Sequence, residues 1–361
     1  MGRIGACGGL LLSILALAGC GSIGPSTVPR DRVGYLAAVG ESWKEQTLLN
    51  IVRLRYGDAP TFLDVSSIIS GYGLQGQLSA GGQVSSDRTN TIPSSLATLG
   101  ATGTYLDRPT ISYTPLAGQK FTTSLLRPLP PSAVFELIQA GYPADFILMV
   151  TTRAVNGVFN RSSMGGLSRE ADAGFYSMLD ALRRLQVSGA VSLRREKHGP
   201  EEVVHLLLSP SRSTAVDRDL RTVRDTLNVQ PDANGEMTIA FGAVPRGGNE
   251  LAILSRSMME ILLEIALGID VPPEHVTQGR TAASARSAEA EDVRDRPLVR
   301  VFAGPQPPAD AFVAVRHRDT WYWVEDRDLR SKRVLSVLML FFSLAETGVT
   351  PQTPVLTLPA N

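Results

Sequence analysis

The spacing of apolar residues changes period several times along the chain, and each change marks an element. Leu36, Val39, Trp43, Thr47, Asn50, Ile51 and Leu54 fall at three- and four-residue steps, which predicts an amphipathic helix over 35–56 ended by Gly57 and Pro60. Over 70–85 (SGYGLQGQLSAGGQVS) the period drops to two. Tyr72, Leu74, Gly76, Leu78, Ala80, Gly82 and Val84 share one face, and Gly73, Gln75, Gln77, Ser79, Gly81, Gln83 and Ser85 the other. After a polar stretch the alternation returns, with Ala97, Leu99, Ala101, Gly103 and Tyr105 set against Thr98, Gly100, Thr102 and Thr104, and a further strand is expected over 111–114. Residues 66–115 therefore read as one long amphipathic β-hairpin.

Beyond it, helical periods predict a short helix from the Ser132 cap to Gln139, and a second running through the apolar run to Val158. Further helices are expected over 168–186, 214–227, 249–267 and 328–345, with Phe175, Met178, Leu179, Leu182 and Leu185 forming the buried stripe of the first. Strands are expected over 187–194, 203–208, 237–241, 298–303, 311–317 and 320–324. Helices and hairpins interleave with few strand-helix-strand crossovers, so the expected class is α+β. Residues 34–276 then form the body, 277–297 a polar loop or linker almost without large apolar residues, and 298–361 a C-terminal group of strands plus a helix.

The first twenty residues change the picture. Arg3 precedes the apolar run GGLLLSILAL over 8–17, followed by Ala18, Gly19 and Cys20, the three-part layout of a secretory signal and too short for a membrane span. Leu17-Ala18-Gly19-Cys20 resembles the lipobox of bacterial lipoproteins. The resemblance implies a signal peptide over 1–19, diacylglyceryl transfer to the Cys20 sulfur, and a lipidated N-terminus and Gly/Pro/Ser-rich tether over 20–33. With Gly21 rather than Asp after the cysteine, it also implies sorting to the outer membrane, on the periplasmic side. Two or more acyl chains suffice for stable anchoring.

Composition narrows the function. There are 35 basic and 35 acidic residues, a balance that argues against a nucleic-acid partner. The two cysteines are Cys7, inside the expected signal, and Cys20, so a processed chain has no thiol for a disulfide, a metal or catalysis. No phosphate-binding loop, serine elbow, HExxH or cysteine zinc spacing occurs, and the four histidines, His198, His205, His275 and His317, are far apart. The most distinctive stretch is Arg316 to Arg333. There Trp321, Tyr322, Trp323 and Arg327 suggest an interaction surface, since Trp, Tyr and Arg dominate binding hot spots. The other reading is a buried pair, Trp321 and Trp323, with Asp326 or Asp328 capping the next helix. Glu325, Asp326 and Asp328 lack the spacing of an EF-hand metal site.

Glu41–Gln46, Leu49–Tyr56, Arg108–Leu116 and Trp321–Arg333 together resemble a group of Gram-negative lipoproteins, over most of the chain after Cys20. That resemblance implies a location and brings no activity. The expectation is a non-enzymatic, lipid-anchored envelope component, without cofactor or metal, that binds other envelope proteins or supports an assembly. The alternative comes from the hairpin. Each arm reaches the roughly 9–11 residues of a tilted membrane strand, and several copies donating hairpins to a shared barrel would form a pore or export component similar to the curli secretion lipoprotein channel.

Overall fold

The computed structural model describes residues 24–84, 95–163, 169–198, 201–209, 213–285, 290, 292 and 294–345. The class is α+β. Two structural units divide it. One holds the described residues up to Ser42 with Leu63–Pro115, the other Trp43–Phe62 with Leu116 onward.

In the first unit, helix α1 (Gly24–Arg55, continuing into the second unit) begins well before the predicted start. It takes in residues 24–33, expected as an irregular tether, and accommodates Pro29 at the loss of one main-chain donor. Strands β1 (Leu63–Ile69), β2 (Tyr72–Val84), β3 (Ser95–Asp107) and β4 (Thr110–Pro115) build a two-stranded ribbon. β1 pairs with β4 and β2 with β3, both antiparallel, and the Arg108 N–H donates to the Gly71 carbonyl at 2.9 Å where the two ladders meet.

The second unit contains the hydrophobic core. Its main sheet has the order β6-β5-β10-β9-β8-β7, formed by β5 (Thr152–Val155), β6 (Val158–Phe159), β7 (Val191–His198), β8 (Glu201–Leu208), β9 (Glu236–Phe241) and β10 (Glu250–Ser255). Only β9 and β10 are parallel among these neighbours. The helices α2 (Gly118–Phe121, continued by a π turn over Thr122–Leu126), α3 (Pro131–Gln139) and α4 (Ala144–Thr151) lie between the ribbon and β5 in sequence, α5 (Ala173–Ser188) between β6 and β7, and α6 (Thr214–Leu227) between β8 and β9. α5 buries the predicted stripe, and α6 buries Val216, Leu220, Val223 and Leu227. Gly189 and Asn228 end these two helices in the left-handed region, the usual C-terminal device. After α7 (Met258–Leu267) and α8 (Pro273–Thr277) comes a three-stranded sheet, β11 (Phe302–Gly304), β13 (Thr320–Glu325) and β12 (Ala311–His317), and then helix α9 (Leu329–Ala345).

Two predicted helices are corrected. The apolar run after Ala144 stays helical only to Thr151, then extends as β5 and turns back at Asn156-Gly157, both at positive φ. This is a two-residue hairpin turn of the type that Asn-Gly favours. The Asn156 side chain donates to the carbonyls of Leu227 and Glu250 and accepts from the Ala252 N–H. Helix 249–267 is likewise strand β10 followed by α7, because Ser257 and Glu260 form a reciprocal capping box that starts the helix there.

Arg256, between them, is buried. Its guanidinium donates to the Met149 and Val150 carbonyls at 3.3 and 3.1 Å and to the Arg161 carbonyl at 2.5 Å. It thus satisfies open carbonyls in the last turn of α4, where the helix dipole favours a cation. Glu264, also buried, accepts from the Ser163 N–H at 2.8 Å and helps to sustain the charge that burial disfavours. Arg256→Met removes one donor from each of three carbonyls, of which that of Met149 keeps the Asn160 amide at 2.9 Å, and takes this countercharge from Glu264. It is expected to lower unfolding free energy by about 3 kcal/mol or more, read as a drop in the urea midpoint. A loss below about 1 kcal/mol would show that water replaces the guanidinium.

Candidate functional site

The ribbon is the first feature that folding alone does not explain. Its register places Gln75 opposite Thr104, Gly76 opposite Gly103 and Gln77 opposite Thr102, so the two alternations read separately in the sequence coincide on common faces. The 13-residue strands β2 and β3 carry no charge between Tyr72 and Leu106. Among the described residues, positions on both faces are exposed, including Gln75, Gly76, Gln77, Ala101, Thr102 and Gly103. None of the core residues belongs to this unit. Ile69, Ile111, Tyr113 and Tyr105 are 47, 41, 57 and 50 % exposed. Near the base of β2, Tyr72 donates to the Asp31 carboxylate and stacks on Tyr105 with centroids 6.3 Å apart. That hydrogen bond is the main reason the Asp31 carboxyl lies below its usual range and the Tyr72 phenol above its own. Residues 85–94, the predicted tip, lie outside the described residues, as does Cys20.

A second cluster lies inside the other unit. The Tyr56 hydroxyl is 2.6 Å from His275 Nδ1 and 2.5 Å from the Tyr322 hydroxyl, so α8, β13 and the turn just after α1 meet on one oxygen. The His317 ring sits 5.3 Å from the Tyr56 ring, and the Arg318 guanidinium lies 4.9 Å from that ring's centre. Asp58 is 3.4 Å from both His317 Nε2 and Arg318. Burial, reinforced by the hydrogen bond to Tyr56, raises the Tyr322 phenol far above its usual value. Burial also lowers the His317 imidazole, with Arg318 adding to the effect and Asp58 opposing it. Tyr322, Tyr56 and His275 are 0, 8 and 8 % exposed. The cluster joins three segments of the chain, with Asp58 and Arg318 at its solvent-accessible side.

The structure sorts the residues singled out in the sequence. Tyr322, expected on an interaction surface, points into the core. Trp321 and Trp323 are partly buried, on the face of β13 opposite Tyr322. Trp323 stacks on Phe302 at 5.8 Å over Gly304, where a Cβ would lie 3.1 Å from the indole. Arg327 is solvent-exposed, 3.8 Å from Asp310. Asp328 accepts from the Ser331 N–H and hydroxyl and so caps α9, while Asp326 pairs with Lys332 at 2.6 Å. His275 and His317 both approach Tyr56, whereas His205 lies in the main sheet beside Glu196 and Glu236. The His198 side chain lies outside the described set. Among the described residues, no group of three His, Cys, Asp or Glu is arranged to hold a metal ion, and no helix is long and apolar enough to cross a membrane. No family model, no curated protein and no solved structure matches the chain.

Two predictions follow from the hydroxyl cluster. Tyr56→Phe and Tyr322→Phe act on a shared hydrogen bond, so a double-mutant cycle should give a coupling energy of about 1 kcal/mol; additive losses would show that the two hydroxyls are independent. Because the fold holds the His317 pKa below its ordinary value, the unfolded chain takes up the proton first as the medium acidifies. Stability from this group is complete above about pH 6.5 and declines below it. His317→Gln should flatten the slope of unfolding free energy below about pH 6.5. An unchanged slope would exclude His317 as its source.

Proposed function

We propose that the chain is a lipid-anchored outer-membrane protein facing the periplasm, with an assembly role and no catalytic one, and that the ribbon is its assembling element. In this reading, copies of the chain join ribbons edge to edge into a shared membrane barrel, an oligomeric pore or export component. The observation that carries the reading is the pair β2–β3, matched through 13 residues, uncharged between Tyr72 and Leu106 and exposed on both faces among its described positions. An isolated two-stranded hairpin is marginally stable in water and leaves two unpaired edges. Pairing with neighbouring copies removes the edges. A bilayer outside and a water-filled lumen inside suit an alternation of Leu, Ala, Gly and Tyr with Gln, Thr and Ser. At about 3.3 Å per residue and a tilt of about 45°, 13 residues cover about 30 Å, the hydrocarbon thickness. Leu17–Cys20 and the run before it support the anchor.

The acylated protein in nonionic detergent should give closed rings by light scattering and negative-stain imaging, and ion conductance after reconstitution. Replacing residues 72–107 with an Asn-Gly turn should leave a folded monomer without conductance. Ala101→Arg, on the lipid-facing parity near mid-strand, should block insertion at a cost of about 2–4 kcal/mol per copy, while Thr102→Arg should leave the rings and shift ion selectivity. Cys20→Ser should abolish fractionation with the outer membrane. A monomeric native chain, or equal effects of the two arginine substitutions, would overturn the barrel.

A further inference from the structure

The body contains a cleft of about 1010 Å³ formed between α4, α5, α9 and the turn at Gly141–Pro143. Its charges are unbalanced, with Arg183, Arg294, Arg330 and Arg333 against Asp145 and Asp180. Of the two aspartates, only Asp180 is closely paired, and Asp145 Oδ1 is buried without a hydrogen bond among the described residues. Asp180 binds Arg294 at 2.5 Å and Asp145 lies 3.9 Å from Arg183. The side chains of Arg330 and Arg333 make no hydrogen bond or ion pair among the described residues. They stand three residues apart on α9 and so share a face of the helix. Arg330 is half-buried, and burial holds its guanidinium below the ordinary value, only partly offset by Asp328. A guanidinium withdrawn from water without an anionic partner is energetically poor, and an oxyanion binding two N–H groups at once is its best remedy. The remaining wall is apolar, with Phe146, Met149, Leu179 and Val337, and with Tyr176 under Arg294 at 5.3 Å.

We propose that this cleft is a binding site for a small anionic amphiphile, with a terminal phosphate or carboxylate held between Arg330 and Arg333 and an apolar body against Phe146, Met149 and Tyr176. The size falls at the upper end of ligand cavities. The site is independent of the ribbon, and the proposal stands whether or not a barrel forms.

Hexyl phosphate is a suitable probe, because it stays dispersed when the full chain is held in a neutral detergent. Titration calorimetry should show one hexyl phosphate per chain, with inorganic phosphate and hexanol each binding at least tenfold more weakly. Arg330→Gln with Arg333→Gln should weaken hexyl phosphate at least tenfold at unchanged circular dichroism. Arg316→Gln, at the exposed position of β12, should leave it unaltered. Displacement of hexyl phosphate by phosphatidylglycerol in nanodiscs would identify a lipid source, and failure to displace it a soluble one. Absence of saturable binding, equal binding of hexanol, or indifference to the double substitution would overturn the site.

Discussion

A two-stranded ribbon leaves strand edges and faces to be covered, and among the described residues none of the hydrophobic core belongs to this one. Backbone groups on a free strand edge remain open to pairing, and two strands bury too little apolar surface to offset the entropy of ordering them. In the second unit the central strands and several helices have that problem solved by neighbours within the unit. The central strands of the six-stranded sheet have neighbours on both sides, α5 and α6 bury their stripes, and α9 buries Val334, Leu335, Val337, Leu338, Phe341 and Phe342. Tyr72 on Asp31, with Tyr105 stacked beside it, fixes the start of the ribbon. The same support is not repeated along β2 and β3, whose described residues from Gln75 to Gln77 and from Gly100 to Tyr105 are exposed.

The body is ordered by a different means, a few buried polar groups placed where main-chain ends must be satisfied. Arg256 serves the end of α4 and the carbonyl of Arg161. Asn156 ties the Asn-Gly turn to α6 and β10, and the Tyr56 hydroxyl joins segments more than 200 residues apart. Each is expensive to leave half-made, because a buried donor or acceptor that loses its partner also forgoes water. Such contacts specify one arrangement of segments that apolar packing alone would allow to slide.

Periodicity revealed what periodicity encodes. The period-two alternation on both arms gave β2 and β3 nearly to their ends, and the capping aspartate before α9 was visible as a residue type at a known position. Helix 249–267 failed because an apolar run of that length fits a buried strand as well as a helix. The arbiters, Ser257 with Glu260, and Asn156 with Gly157 in the earlier run, are short polar signals that a hydrophobic reading passes over. Tyr322 was missed by one position of parity, since Thr320, Tyr322 and Val324 face inward and the bulkier tryptophans do not. The meeting of His275 and His317 at Tyr56, and of Arg330 with an apolar cleft, depends on contacts distant in sequence and left no local trace.

Strand number sets the terms for any barrel built from such ribbons. Each copy brings two long strands, and closure needs about eight before side chains fill the interior, or about sixteen before an aqueous lumen opens. A small ring would therefore be plugged by its own side chains. On β2 the face opposite the apolar one carries Gln75, Gln77, Ser79 and Gly81, and on β3 it carries Thr102 and Thr104. These are polar, uncharged and mostly short, which suits a wide lumen lined with water better than a packed interior, where uncompensated hydroxyls and amides would be costly. The composition of that face thus favours about eight copies or more over about four.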